Sequence, residues 1–156
     1  MNWTSVLENP LFQNLPFKIE LNRFGQILMS PASNKHGRTQ SRLVVALVRH
    51  REDGEVITEC SIETSDGVKV ADVVWASDEF IAEFGYETPY PQAPELCVEI
   101  VSPSNSKGEI EQKIELYLAR GAQEVWVVDE EGGARIHGHA GRRKASRIVP
   151  GFDGLD

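Results

Sequence analysis

The alternation of apolar and polar residues divides this chain into short strands and two amphipathic helices. Residues 17–21 (Phe-Lys-Ile-Glu-Leu) and 26–29 (Gln-Ile-Leu-Met) flank Asn22-Arg23-Phe24-Gly25. This predicts a β-hairpin whose second strand ends at Met29-Ser30-Pro31. From 36 to 50 the apolar positions recur three and four apart. Leu43, Leu47 and His50 share a face with Val44 and Val48, which predicts a helix stopped by Asp53-Gly54. Residues 55–63 and 68–75 read as strands joined at Ser65-Asp66-Gly67, a second hairpin. Residues 77–93 carry Tyr86, Pro89, Tyr90 and Pro91 and predict a long loop with a short helical turn near 78–83.

The best-defined unit follows. Glu95-Leu96-Cys97-Val98-Glu99-Ile100-Val101 is a nearly continuous apolar run, the pattern of a strand buried on both faces. A helix is predicted over 107–120, opened by Ser106 with Glu109 three residues later and closed by Gly121. Val125-Trp126-Val127-Val128-Asp129 is the next strand, and 134–139 read as another after Gly132-Gly133. Strand, helix and strand at this spacing imply a parallel pair. The predicted fold class is mixed α/β: antiparallel hairpins feed a parallel βαβ unit in one mixed sheet flanked by helices.

The length of 156 residues suits a single domain over 1–156. No apolar stretch is long enough to span a membrane, and Met1-Asn2-Trp3-Thr4 lacks the basic and apolar regions of a signal peptide. The expectation is a cytoplasmic protein without membrane contact. Cys60 and Cys97 fall in predicted strands, outside any CxxC pair, and read as reduced, buried small hydrophobes. The formal net charge of −8 argues against gripping nucleic acid by bulk electrostatics alone. Local basic groups exist at Arg142-Arg143-Lys144 with Arg147, and at Lys35, Arg38 and Arg42. Both read equally as solvated surface charge.

Three charges stand where charge is costly. Glu99 interrupts the run 95–101, and Asp72 interrupts Val70-Ala71-Asp72-Val73-Val74-Trp75. Lys113 falls beside the apolar stripe of its helix, roughly 40° from Tyr117 and 60° from Ile110 at about 100° per residue. A lysine there either snorkels to the rim or reaches an acid. The second reading is favoured, because Glu99 lies near the C-terminal end of the preceding strand, the edge where open α/β sheets build sites. Asp and Glu offer hard oxygen ligands suited to Mg²⁺ or Mn²⁺. Either acid could instead be a structural one, satisfied by backbone donors or a cation.

Several segments together resemble a known family. They are Glu20 in its hairpin, Met29-Ser30-Pro31, His36 at a helix start, Ala71-Asp72-Val73-Val74 and Pro94-Glu95-Leu96-Cys97-Val98-Glu99-Ile100-Val101-Ser102-Pro103-Ser104. Lys113 with Tyr117, and Gly121-Ala122-Gln123-Glu124-Val125-Trp126-Val127-Val128-Asp129, complete the set. Over residues 17–152 this resembles the Uma-two restriction endonuclease family of the PD-(D/E)XK nuclease-like superfamily. The resemblance implies a restriction endonuclease-like core and a Mg²⁺- or Mn²⁺-dependent endonuclease acting on DNA. It makes Asp72 the motif aspartate, preceded by Ala71 where the family often has proline. Glu99 becomes the second acid. Val101 stands where the textual motif has lysine, and Lys113 on the following helix takes that role. The resemblance further implies Glu20 as an extra ligand or positioner and the Ile100 carbonyl as a metal ligand.

His36 reads as a helix cap or surface residue slightly more readily than as a site residue, and Tyr117 as packing. His137 and His139 could share a face, but no further ligands accompany them. The loop over 84–91 is a candidate interface or substrate lid. A homodimer is expected, since cutting two strands requires two sites. The alternatives are a catalytically inactive nuclease-fold module that binds nucleic acid or protein, and a structural cluster of buried ion pairs.

Overall fold

The computed structural model describes residues 1–103 and 105–155, so Ser104 of the Ser-Pro-Ser stretch lies outside the described residues. Helix α1 (Trp3–Glu8) and a 3₁₀ turn (Pro10–Phe12) precede a hairpin, β1 (Phe17–Leu21) and β2 (Ile27–Pro31). Helix α2 (Asn34–His50) leads to a second hairpin, β3 (Glu55–Thr64) and β4 (Gly67–Ala76), and then to α3 (Asp78–Phe84). Next come β5 (Leu96–Val101), α4 (Lys107–Ala119), β6 (Glu124–Asp129), β7 (Ala134–Gly138) and β8 (Gly141–Arg143). The last six strands pair in chain order as one sheet, and β5 and β6 are its parallel pair. The fold is mixed α/β, as the apolar pattern predicts. Among the described residues no helix is long and apolar enough to cross a membrane.

Each face of the sheet is covered by a different layer. Leu43 and Leu47 of α2 pack on Val73, Trp75, Val98 and Trp126 together with the C-terminal segment Ile148, Val149 and Phe152. Phe80, Tyr90, Tyr117 and Ala122 cover the other face over Ile62, Val74, Cys97 and Val125. This explains the continuous apolar run in β5, whose residues Leu96–Ile100 are all buried. Ser106 caps α4 by accepting from the Glu109 N–H, as its spacing predicts.

Several details differ from the sequence expectation. Strand β2 continues through Pro31, α2 begins at Asn34 with Ser33 as its cap, and α1 and β8 were not predicted. Val48 and His50 lie on the solvent side of α2, because the buried stripe is narrowed to Thr39, Leu43 and Leu47. The loop after α3 is not free. Tyr90 exchanges backbone bonds with Ser61 and Glu63, covering the edge of β3, and its ring packs on Phe80. Tyr86 alone of its aromatics is fully exposed.

The β1–β2 hairpin forms its own small sheet and leans on the start of β4. Gly67 makes this approach possible. Its φ of +80° suits the turn, and a side chain there would strike the backbone of Leu21 and Asn22. The hairpin thereby places β1 over the sheet.

Both cysteines are free and buried, on the face covered by α3 and α4. Burial pushes the Cys60 thiol up to about 12 and the Cys97 thiol well above the usual thiol range. An aromatic disulfide reagent at pH 8 should therefore leave the native protein unmodified and titrate both thiols in denaturant. Rapid reaction of either thiol in the native state would contradict this packing.

Candidate active site

Strands β4 and β5 part at the acids. Their pairing runs Trp75↔Leu96, Val74↔Cys97 and Val73↔Val98, and continuing that register would set Asp72 opposite Glu99. There the ladder stops. The Ile100 N–H donates to Asp72 Oδ2 at 2.7 Å in place of a β4 carbonyl. On its other side, Asp72 faces Glu59, which adopts φ +51° and drops out of the β3–β4 ladder. The freed Asp72 carbonyl accepts from Gln40 of α2 at 2.8 Å, and the same amide also binds Glu59. Both carboxylates therefore stand at a place where three adjacent strands are locally unpaired, and both are almost fully buried.

Four side chains from other elements converge on them. Lys113 Nζ of α4 lies 3.4 Å from Glu99 Oε1 and 2.9 Å from Glu20 Oε2 of β1. The Tyr117 hydroxyl, one turn further, donates to Glu99 Oε1 at 2.7 Å. Lys18 Nζ lies 3.1 Å from Asp72 Oδ1 and 3.4 Å from Glu99 Oε2. His36 Nε2, at the start of α2, is 3.2 Å from Asp72 Oδ1. Glu20 is itself anchored by the Val70 N–H at 2.7 Å. A cleft of about 470 Å³ opens onto this group between the first hairpin and the N-terminal ends of α2 and α4.

The charges are mutually dependent. Burial alone would raise the Asp72 carboxyl, but the Lys18 charge and bonds from His36 and Ile100 hold it well below the usual range. Glu20 is lowered in the same way: Lys113 and Lys18 outweigh its burial. Glu99 goes the other way. Its burial, with Asp72 and Glu20 nearby, outweighs both lysines and raises it. Burial tends to deprotonate Lys18, yet Glu99, Asp72 and Glu20 raise it well above an ordinary lysine. The bond to Asp72 raises His36.

The structure brings together the four side chains that the sequence singled out, Asp72, Glu99, Lys113 and Glu20. It corrects the reading of His36, which does not cap α2, since Ser33 does, and which contacts Asp72 instead. Tyr117 both packs in the core and bonds Glu99. Lys18 was missed, although it alternates with Glu20 on one face of β1, a period-two signal already in the sequence. The Tyr86 loop does not line this cleft. His139 Nε2 lies against the Ala122 carbonyl at 3.0 Å, and no cluster of three His, Cys, Asp or Glu in a metal-holding arrangement occurs among the described residues. Arg142, Arg143 and Lys144 line a separate depression by β7 and β8.

The donor chemistry nonetheless fits a hard divalent cation. Asp72 and Glu99 each have one oxygen fixed from the protein side and one directed at the Lys18 ammonium. Two carboxylates at one cation position suit Mg²⁺, which retains several waters and substrate oxygens. The Ile100 contribution seen is its N–H, bonded to Asp72.

A family model described as "Putative restriction endonuclease" matches residues 6–149. The chain belongs to this family, Uma2. Comparison with curated proteins found no match. Among solved structures, a crystal structure of a "putative nuclease belonging to DUF820" from Anabaena variabilis is similar, with a TM-score of 0.64 and 20% identity. The match covers 77% of this chain and 71% of that one, and at this identity it shows a shared fold. The Uma2 chain thus has a nuclease fold, with its buried acids at the parting of two central strands.

The Tyr117 bond to buried Glu99 predicts that Tyr117→Phe lowers the unfolding free energy by about 2 kcal/mol. Urea denaturation of both proteins checks this, and an unchanged midpoint would show that the hydroxyl does not hold Glu99.

Proposed function

We propose that this chain is a divalent-metal-dependent endonuclease that hydrolyses phosphodiester bonds of DNA, with Asp72 and Glu99 as its metal-holding acids. The observation that supports this most is the convergence of Asp72 Oδ1 and Glu99 Oε2 on one cation position beside an open cleft. Family membership supports the nuclease class. When bound, Mg²⁺ or Mn²⁺ would polarise the phosphate and lower the pKa of a coordinated water.

The chain's own groups have separable roles. Tyr117 and the Ile100 N–H each hold one oxygen of an acid and so aim the other at the cleft. Lys113 stands between Glu99 and Glu20, and there its ammonium orients the attacking water or offsets charge developing on the phosphate. Glu20, tied to the Val70 N–H, fixes Lys113 in that place. Hydrolysis forms a bond from water oxygen to phosphorus as the bond to the leaving oxygen breaks. Cutting both strands of a duplex needs two such sites, so the working form proposed is a homodimer.

Supercoiled plasmid incubated with Mg²⁺ or Mn²⁺ should be cleaved by the wild type, with chelator abolishing the reaction. Linear product would indicate paired sites, and nicked circles a single one. Asp72→Asn, Glu99→Gln and Lys113→Met, each checked for folding by circular dichroism, should lose about a hundredfold or more. Undiminished cleavage by Asp72→Asn would contradict the assignment. Cleavage of RNA in place of DNA would transfer the substrate, and inertness toward both would favour a binding module.

A further inference from the structure

Lys18 stands where the proposed metal would stand. Of the four carboxylate oxygens on Asp72 and Glu99, two are committed to the protein interior. Asp72 Oδ2 accepts from Ile100 N–H, and Glu99 Oε1 accepts from Tyr117 and faces Lys113. The remaining two, Asp72 Oδ1 and Glu99 Oε2, both contact Lys18 Nζ, at 3.1 and 3.4 Å. His36 Nε2 shares Asp72 Oδ1. An ammonium and a divalent ion cannot both occupy this position, because like charges at such separation repel strongly.

We propose that Lys18 is an internal cation that competes with divalent metal for Asp72 and Glu99, and that it moves into the cleft when metal binds. This rests on the metal-dependent reading above. Lys18 is suited to leave. Both it and Lys113 line the cleft and are about equally exposed, at 14% and 15%, but the flexible stem of Lys18 lies on the separate β1–β2 sheet rather than in the main one. Lys113, by contrast, is held between Glu20 and the Glu99 oxygen that Tyr117 also binds, and leaves Asp72 Oδ1 and Glu99 Oε2 to Lys18. Once displaced, the Lys18 ammonium faces the space open to an anionic substrate. Without metal it keeps the two acids from repelling each other, so the site is assembled before the ion arrives.

The test is calorimetric binding of Mg²⁺ and of Mn²⁺, without nucleic acid, to the wild type, Lys18→Met, Lys18→Gln and Lys18→Arg. Circular dichroism establishes that each is folded, and two neutral variants guard against misfolding of one. Removing the ammonium should tighten metal binding at least about tenfold, whereas Lys18→Arg, which keeps the charge, should not. Asp72→Asn added to Lys18→Met should abolish the gain. Equal or weaker binding by the folded neutral variants, with measurable binding by the wild type, would overturn the competition while leaving the metal site standing. Absence of binding by every variant at millimolar metal would overturn the metal-dependent reading and this inference with it.

Discussion

The candidate site depends on a missing piece of β-ladder. If β4 and β5 remained paired past Val73↔Val98, the Ile100 N–H would be satisfied by backbone and Asp72 would have no donor at its inner oxygen. That donor adds to the Lys18 charge and the His36 contact in keeping a carboxylate ionised at such depth. The parting of the strands makes one backbone N–H available, and that bond fixes the inner oxygen of Asp72 while Lys18 and His36 face the outer one. Glu59, with its positive φ, and Gln40, which takes up the Asp72 carbonyl, maintain the same interruption on the β3 side. Backbone held in a sparsely populated conformation beside two buried acids fits the tendency of strain to gather at functional positions.

The acids differ from a purely structural buried carboxylate in the same chain. Glu124 is completely buried at the other end of the parallel pair. Its two oxygens accept from Trp126 Nε1, Arg143, Ser146 and the Arg147 N–H, which ties the C-terminal segment to the sheet. Nothing on Glu124 is directed at a cleft. Asp72 and Glu99 each keep one oxygen facing cationic side chains that line the cleft, and at Glu99 burial outweighs the two lysines and holds the carboxyl above its ordinary range. Gathering buried carboxylates with so few cations costs stability, a pattern expected where binding matters more than rigidity.

Much of this was legible in the sequence, for identifiable reasons. Apolar runs interrupted by one acid marked Asp72 and Glu99, and helical periodicity placed Lys113 on the inward flank of α4. The capping spacing at Ser106 and Glu109 fixed where that helix starts. Lys18 could have been found by the alternation that puts it on the face of Glu20, but an isolated hairpin strand gives no sign of what that face meets. That meeting is set by long-range packing of β1 on β4, which the close approach at Gly67 permits. The inward turn of His36 was hidden for a similar reason, since Ser33 and not His36 caps α2. The short β8 has three residues, two of them arginine, and carries no apolar alternation to reveal it.

The most direct test is a crystal structure of the protein grown with Mn²⁺, with the ion located by its anomalous scattering. One Mn²⁺ is expected on Asp72 Oδ1 and Glu99 Oε2, with Lys18 swung into the cleft and the Tyr117 and Ile100 bonds unchanged. A structure with Lys18 still between the two acids and Mn²⁺ bound elsewhere, or not at all, would contradict it.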